Sequence, residues 1–390
     1  MFRITPIKNG ICAVDGFYAS GVKAGFKKDD YDVGFIRSES ECSVAYLFTT
    51  NKFQAAPIKY VLENGIKKTN FILANSKNAN ALTGKAGLED VKEIMEYVKK
   101  YGAINPIMSS TGVIGVRLDK ERIKKAVDKM DFNERDSTKF ARSIMTTDKF
   151  EKEIAFEVSG DFGKFRIGGV AKGAGMINPA MATMLCSITT DANVPESEMR
   201  EILREVNEVT FNAISVDGDT STNDSVFLMT NKKGGYEKEA FKEALYQVML
   251  KLALDIVRDG EGATKVVAFD VKGAKDKSEA KIAAKALTNS LLVKTAIFGE
   301  DPNWGRIAAT IGASGVECYE DRLTIAIEDV VLYKRGEILM TPEVEEKAHN
   351  IMKRDSFKIV VDLGIGDGAF RAYGCDLSYE YVKINAEYRT

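Results

Sequence analysis

Strand-like and helix-like segments follow one another along the chain without strict alternation, and this mixture limits the folds open to it. Short apolar runs bounded by turn residues, such as 10-GICAVDGFYA-19 and 42-CSVAYLFTT-50, indicate strands near the start. Amphipathic patterns, such as 87-GLEDVKEIMEYVKKYG-102 and 237-EKEAFKEALYQVMLKLALDIVRDG-260, indicate helices between later strands. Some neighbouring strands suit hairpins, so we predict an α/β fold with α+β character, built from layers of mixed sheets and helices.

The chain offers no obvious internal boundary. Its 390 residues, of which 45% are apolar, suffice for two domains or one large one. We find no repeat, low-complexity segment or Pro/Ser-rich linker.

Aromatic and β-branched residues in 379-YEYVKINAEYRT-390 predict a closing strand. The motif 364-GIGDGAF-370 lacks the final glycine of a dinucleotide fingerprint and predicts a glycine-rich hairpin instead.

Charge and cysteine usage narrow the class of partner. The 55 basic and 57 acidic residues nearly cancel, so we expect a small-molecule substrate and neither nucleic acid nor a membrane surface. No apolar run approaches the roughly 18 to 20 residues of a membrane span, and we expect a cytoplasmic protein. The odd number of cysteines without C-x-x-C spacing predicts buried thiols rather than disulfides or a zinc site: Cys12, Cys42, Cys186, Cys318 and Cys375.

The single histidine restricts the catalytic chemistry further. His349 lies in 341-TPEVEEKAHNIMKRDS-356, which has a capping threonine, a proline at the first helical position and acids in the first turn. This pattern predicts a surface helix with a solvated histidine. A Ser-His-Asp or Cys-His enzyme is therefore not expected, because the chain has no other imidazole to act as the base.

A threonine in 172-KGAGMINPAMATMLCSITTDA-192 suggests chemistry that needs no histidine. If the peptide bond between Ala182 and Thr183 is cut, the new α-amine can take the proton of the Thr183 hydroxyl. That amine has a reference pKa of about 7.7 to 8.0, against roughly 10.4 for lysine, so part of it is neutral near pH 7. On the residues alone, a structural threonine at the edge of a glycine-rich turn remains the alternative.

Seven blocks spread over most of the chain resemble, in order, those of the glutamate N-acetyltransferase (ornithine acetyltransferase) family of arginine biosynthesis. They are 109-SSTGVIG-115, 143-SIMTTD-148, 172-KGAGMINPAMATMLCSITTDA-192, 215-SVDGDTSTNDS-225, 259-DGEGATK-265, 299-GEDPNWGR-306 and 384-INAEYRT-390.

The resemblance implies a self-cleaving N-terminal-nucleophile enzyme with layered sheets and helices. Scission between Ala182 and Thr183 would give an α chain, 1–182, and a β chain, 183–390, with Thr183 as nucleophile. Thr111 and Gly112 would form the oxyanion hole. The implied substrate-binding residues are Thr146 or Thr147, Lys172, Thr183, Glu261, Asn385 and Thr390. For Glu261, two roles stay open: holding the ammonium end of ornithine, or handling protons near Thr183.

The implied reaction moves acetyl from N2-acetyl-L-ornithine to L-glutamate by a ping-pong mechanism through an acetyl-Thr183 ester. It needs neither a metal nor an organic cofactor. The two chains would stay together, form a dimer of α–β pairs and enclose a largely dry pocket between them. Whether acetyl-CoA also serves as donor stays open. The alternatives are an N-terminal-nucleophile aminopeptidase or amidase of the same fold, and a non-catalytic amino-acid sensor.

The acidic segment 217-DGDTSTND-224 has two interpretations. Asp217, Asp219 and Asp224 are close enough in sequence to attract calcium. Thr222 and Leu228, however, stand where an EF-hand loop needs glycine and a bidentate glutamate. We therefore predict a polar turn near the active site.

Overall fold

The computed structural model describes residues 1–178 and 184–387, and this part of the chain forms fifteen strands in two mixed sheets with helices packed on them. The predicted α/β fold of layered sheets and helices is confirmed. The strands are β1 Phe2–Ile7, β2 Phe17–Val22, β3 Val33–Phe48, β4 Lys68–Asn75, β5 Ile107–Ser110, β6 Lys152–Gly160, β7 Gly163–Lys172, β8 Leu185–Ala192, β9 Ser225–Gly234, β10 Val266–Ala274, β11 Thr324–Ile327, β12 Val330–Lys334, β13 Glu337–Ile338, β14 Ser356–Asp362 and β15 Gly368–Cys375.

Eleven α-helices lie within the described ranges. They are α1 Ala56–Asn64, α2 Gly84–Val98, α3 Lys120–Val127, α4 Ser137–Ile144, α5 Glu196–Glu208, α6 Lys238–Arg258, α7 Lys277–Asn289, α8 Leu291–Phe298, α9 Trp304–Ala313, α10 Pro342–Met352 and α11 Tyr379–Glu387. None of these helices is both long enough and apolar enough to cross a membrane.

The larger sheet runs through the middle of the molecule in the order β1-β6-β7-β8-β9-β3-β4-β5, with β2 paired to β3 beside this path. Strands β8 and β9 are parallel, as are β4 and β5, whereas the other pairs are antiparallel. In register, Lys172 at the end of β7 faces Leu185 at the start of β8, and Leu185 faces Ser225 at the start of β9. Three strand ends therefore meet at one edge of the sheet.

Amphipathic helices cover this sheet and build its cores. Helices α5 and α6 pack on β6 to β9, and α2 and α3 pack on the β3–β4–β5 end. In α6, Phe241, Leu245, Val248 and Leu252 recur three or four residues apart and are all fully buried. The Glu237 carboxylate caps the start of α6 by accepting hydrogen bonds from two backbone N–H groups.

The smaller sheet has the order β13-β12-β11-β14-β10-β15 and packs against α7 to α10. Its arrangement corrects the predicted hairpin at 364-GIGDGAF-370. Strands β14 and β15 do not pair with each other, because β10 lies between them, parallel to β14 and antiparallel to β15. The glycine-rich loop instead passes over the end of β10, where the Ile365 N–H donates to the Gly273 carbonyl oxygen at 2.7 Å.

The predicted closing strand at 379-YEYVKINAEYRT-390 was also wrong, since Tyr379–Glu387 is helix α11. Tyrosine, valine and isoleucine favour strands, but tertiary contacts override such local preferences. The helix places Tyr381 and Asn385, four residues apart, on one face, and both line the cavity described below.

His349 lies on α10 as predicted, but it is only half-exposed. Its Nδ1 is 2.8 Å from the carbonyl oxygen of Glu300. Because a carbonyl oxygen only accepts, this ring nitrogen carries the proton. The histidine therefore ties α10 to the segment after α8 and does not stand free in solvent.

The thiols match the predicted buried cysteines at four of five positions. Cys12, Cys42, Cys186 and Cys375 are buried, whereas Cys318 is half-buried. Burial raises the pKa of the Cys12 thiol to about 12 and that of Cys42 to about 11. These groups stay protonated near neutral pH and behave as small apolar side chains.

Candidate active site

A cavity of about 210 Å³ opens at the edge of the larger sheet where β7 ends and β8 and β9 begin. Residues from both sides of the predicted scission line it. They include Thr111, Gly112, Thr146, Thr147, Lys172, Gly175, Asp217, Asp224, Glu261, Tyr381 and Asn385. The predicted nucleophile Thr183, its neighbour Ala182 and the C-terminal Thr390 lie outside the described residues.

Thr111 and Gly112 immediately follow β5. The Thr111 and Val113 N–H groups donate to carbonyl oxygens of the neighbouring segment, whereas the Gly112 N–H has no acceptor within the described parts of the chain. Gly112 has φ +133°, and a Cβ there would lie 2.2 Å from the Lys77 backbone carbon. Only glycine fits this position, and its N–H stays available to an oxygen bound in the cavity.

A buried amide fixes the position of the turn at Thr111 and Gly112. The side chain of Asn223 donates to the carbonyl oxygens of Ala79 (2.6 Å) and Ser110 (2.8 Å). It therefore joins the start of the turn to the acidic segment 217–224. Residues of that segment line the cavity, and the described ranges contain no group of three or more His, Cys, Asp or Glu side chains that could hold a metal ion.

Lys172 is a buried cation in the cavity wall. It is only 7% exposed, and its Nζ lies 3.5 Å from the Thr111 hydroxyl oxygen, a long hydrogen bond. An ammonium held here by the end of β7 provides a positive charge for an anionic group of a bound molecule.

Asp148, Lys152 and Asp259 form a buried ion cluster behind Lys172. The Lys152 ammonium lies 2.8 Å from Asp148 and 2.5 Å from Asp259, and all three side chains are completely buried. The Asp148 carboxylate also accepts from the N–H groups of Thr146 (2.9 Å) and Gly173 (2.7 Å). The cluster thus holds two segments of the cavity wall in place.

The charges of this cluster are set by two opposing effects. Burial alone would raise the pKa of Asp148, but the charges of Lys172 and Lys152, the hydrogen bond from Lys152 and that from the Thr146 N–H hold the pKa well below its ordinary value. For Asp259, the effect of burial is larger than that of the Lys152 charge, so the pKa of the carboxyl is raised. Asp148 is therefore a firmly ionised partner for the two lysines.

Glu261 connects the glycine-rich turn to α11. Its N–H donates to the Ala174 carbonyl oxygen at 2.9 Å, and its carboxylate accepts from the Asn385 side chain at 2.7 Å. A Cβ on Gly175 would lie 2.5 Å from the carboxyl carbon of Glu261. This close approach favours glycine at 175, and the hydrogen bond places Glu261 and Asn385 side by side.

Asp217 holds the last described residues before position 179. Its carboxylate accepts from the N–H groups of Met176 (2.6 Å) and Ile177 (2.8 Å). Burial raises the pKa of Asp217, against these hydrogen bonds. The acidic residues of 217–224 predicted a polar turn near the site. They did not reveal that the Asp217 carboxylate binds the backbone N–H groups of the glycine-rich segment.

Sequence reasoning missed the part played by Asp148 and Lys152. Asp148 closes the block 143-SIMTTD-148, so its place beside Thr146 was a usable signal. Lys152 gave no such signal, because it is one of many lysines and its partner Asp259 lies 107 residues away.

The ArgJ family model matches residues 18–390 of this chain. The chain belongs to the ArgJ family. It is 58% identical to the "Arginine biosynthesis bifunctional protein ArgJ" of Wolinella succinogenes, over the whole of both chains. It is 47% identical to the "Glutamate N-acetyltransferase" of Methanocaldococcus jannaschii, over 98% of this chain and 99% of that protein.

A solved structure of an ArgJ protein, the arginine biosynthesis bifunctional protein of Bacillus halodurans, is 43% identical to this chain. The similarity covers 52% of this chain and 97% of that one, with a TM-score of 0.49. As a member of the ArgJ family, this chain is an acyltransferase and an enzyme of arginine biosynthesis.

Seven of the residues predicted for the site line the cavity of this ArgJ family member. They are Thr111, Gly112, Thr146, Thr147, Lys172, Glu261 and Asn385. The structure brings them together from distant parts of the chain, while their individual roles stay predictions. Both Thr146 and Thr147 reach the cavity, so their placement does not choose between them.

Proposed function

We propose that this chain is a self-processing glutamate N-acetyltransferase that moves acetyl from N2-acetyl-L-ornithine to L-glutamate. The supporting observation is the cavity at the start of β8, where the predicted oxyanion and substrate residues meet. Thr183 precedes Leu185, the first residue of β8, by two positions. The scission is proposed between Ala182 and Thr183, so both product chains line the site.

In the proposed mechanism, the α-amine of Thr183 takes the proton from the hydroxyl of the same residue as the oxygen attacks the acetyl carbonyl. The oxygen of the tetrahedral intermediate is stabilised by the Gly112 N–H and the Thr111 hydroxyl. Removal of one such donor typically costs about 2.7 to 4 kcal/mol in barrier height. Ornithine leaves, and the amine of glutamate then attacks the acetyl ester.

The polar wall of the cavity suits amino-acid substrates. The Lys172 ammonium can pair with an α-carboxylate, which both donor and acceptor carry. Glu261, which accepts a hydrogen bond from Asn385, offers a carboxylate in the same cavity wall. It suits the ammonium end of ornithine, while proton handling near Thr183 stays the alternative role. The proposed dimer of α–β pairs and the cytoplasmic location stay predictions.

Dependence on glutamate tests this function. Purified protein supplied with N2-acetylornithine and glutamate should form acetylglutamate and ornithine at the same rate, and ornithine release should fall to a slow background when glutamate is left out. Acetate release at the same rate in both conditions would instead favour the amidase or aminopeptidase. Binding of the amino acids without any turnover would favour the sensor. Acetyl-CoA in place of N2-acetylornithine shows whether the enzyme has a second donor.

Lys172→Ala should mainly weaken substrate binding. A lost charge-assisted hydrogen bond of about 1.5 to 3 kcal/mol corresponds to a roughly tenfold to hundredfold rise in KM, with a smaller change in kcat. Steady-state kinetics with both substrates measure this split. Lys164→Ala is the matched control, since Lys164 lies at the far end of β7 with 68% of its side chain exposed. Unchanged KM values in Lys172→Ala would remove Lys172 from the binding site.

A further inference from the structure

Asp224 is a buried carboxyl in the cavity wall that the mechanism above does not use. It is 2% exposed and lines the cavity, yet its Oδ2 has no hydrogen-bond partner among the described residues. A buried acceptor without a partner destabilises the folded protein. Its place in the wall brings the Asp224 carboxyl next to the space that a bound molecule would occupy.

The backbone places Asp224 beside the start of the proposed β chain. The N–H of the next residue, Ser225, donates to the Met184 carbonyl oxygen at 2.8 Å, and the Asp224 carbonyl oxygen accepts from Thr49 at 3.0 Å. Met184 is joined directly to Thr183 in the sequence. Asp224 therefore lies level with the residue that follows the proposed nucleophile.

The surroundings of Asp224 favour its neutral form. Burial raises the pKa of the carboxyl well above its ordinary value, although Ser221, the charge of Lys172 and Thr49 oppose the rise. Lys172 is the charged side chain that acts on it, and the other titratable groups of the cavity wall are Asp217, Asp219, Glu261 and Tyr381. A carboxyl in an active-site cavity whose pKa is raised by burial is suited to general acid–base work.

We propose that Asp224 exchanges a proton with the amino group of the substrate, as general acid for ornithine release and general base for glutamate attack. This inference rests on the proposed function, since it assigns a group to its two half-reactions. The α-amine of Thr183 then serves only the hydroxyl of its own residue.

The two half-reactions balance with Asp224 in this role. In the first, the Thr183 oxygen bonds to the acetyl carbon and its proton passes to the α-amine. The amide C–N bond breaks, and the Asp224 proton passes to the departing nitrogen of ornithine. In the second, the neutral amine of glutamate attacks the ester and returns a proton to the Asp224 carboxylate. The α-ammonium returns its proton to the Thr183 oxygen, and the enzyme regains its starting state.

The test compares two acetyl donors in Asp224→Asn. N2-acetylornithine has an amine leaving group that must be protonated, whereas p-nitrophenyl acetate releases a stable phenolate that needs no acid. We expect kcat/KM for N2-acetylornithine to fall by roughly 10²- to 10⁴-fold, and the release of p-nitrophenolate to change less than about threefold. Equal losses with both donors, or no loss with N2-acetylornithine, would overturn the role. Failure of the wild-type enzyme to transfer acetyl would instead overturn the proposed function.

Asp191→Asn is the matched control. Asp191 is a half-buried aspartate near the opposite end of β8, and burial raises its pKa as well. Its side chain accepts from the Arg166 N–H at 2.6 Å, a bond that an asparagine oxygen can keep. Kinetics with both donors should stay at the wild-type level. A selective loss with N2-acetylornithine in this variant too would contradict a specific role for Asp224.

If Asp224→Asn does not yield two chains, Ser221→Ala carries the test. The Ser221 hydroxyl lowers the pKa of Asp224, so its removal should raise that pKa further. A general acid works only while protonated, so the alkaline decline of kcat/KM with N2-acetylornithine should move to higher pH. The profile with p-nitrophenyl acetate should stay in place. An alkaline decline that does not move, or that moves equally with both donors, would contradict the proposal.

Discussion

Thr183→Ala should remain a single chain of 390 residues and lose acetyl transfer. In the proposed mechanism, scission and catalysis both use the hydroxyl of this residue, first to attack the carbonyl of Ala182 and then to attack the acetyl group. The only histidine lies on α10, where it donates to Glu300, so no imidazole is available as a substitute base. Loss of a nucleophile commonly lowers kcat by roughly 10⁶-fold. A denaturing gel and a transfer assay on the same preparation measure both effects.

Thr183→Ser is the control for this variant. It keeps the hydroxyl and, after scission, an α-amine next to it, so it should be cut and should retain transfer activity at a reduced rate. An alanine variant that transfers acetyl at the wild-type rate would remove Thr183 from the mechanism, whichever chains the gel shows.

Lys152→Met should give the largest loss of stability among the substitutions considered. The change leaves Asp148 and Asp259 facing each other in a completely buried site without their shared cation. Breaking a buried ion pair by removing one partner costs about 3 to 5 kcal/mol. Unfolding in urea, followed by circular dichroism, should therefore begin at a clearly lower denaturant concentration. KM should rise as well, because Asp148 holds Thr146 and Gly173 at the cavity.

Lys242→Met is the matched control for the buried ion cluster. Lys242 on α6 pairs with Glu205 on α5, and the two side chains are 40% and 44% exposed. Exposed pairs of this kind contribute about 0 to 1 kcal/mol, so the unfolding curve should hardly move. Equal shifts for the two variants would mean that burial of the Asp148–Lys152–Asp259 cluster has no special weight.

The ion cluster also predicts a response to acid. The pKa of Asp148 is lower in the folded protein than in the unfolded chain. Between these two pKa values, the folded state therefore binds fewer protons than the unfolded state, and acid favours unfolding. The stability that Asp148 contributes is present above its unfolded pKa, about 3.9, and is lost as the pH falls further towards the folded pKa. Asp224 acts in the opposite sense, because its raised pKa favours the folded state only at low pH.

Local sequence patterns were sufficient for much of the architecture. The apolar positions of α6 recur with helical spacing. The helix ends at Arg258, just before the predicted terminal glycine at 260. In contrast, α11 was predicted as a strand, because its apolar and aromatic residues do not reveal that Asn385 contacts Glu261 from one helix face. The loop 364–370 failed for a similar reason: no local signal shows that β10 inserts between β14 and β15.

The residues of the candidate site were predicted mainly from the family resemblance and less from local sequence patterns. The family resemblance named residues that the structure then brought to one cavity, such as Thr111 and Lys172. The resemblance did not reveal the ion pairs of Lys152, because its partner Asp259 is distant in the sequence. It also did not reveal the raised pKa of Asp224, because burial in the fold causes that shift. Asp224 was read only as part of a polar turn, since the sequence does not show that one of its carboxyl oxygens lacks a partner.

The central claim is that Thr183 gains its own α-amine as base by scission of the preceding peptide bond. The most direct measurement is the intact mass of active, purified protein, together with N-terminal sequencing of the larger product. The account predicts two chains of 182 and 390 − 182 = 208 residues, the longer beginning TMLCSITT. Full transfer activity in protein whose residues 182 and 183 are still joined would contradict it.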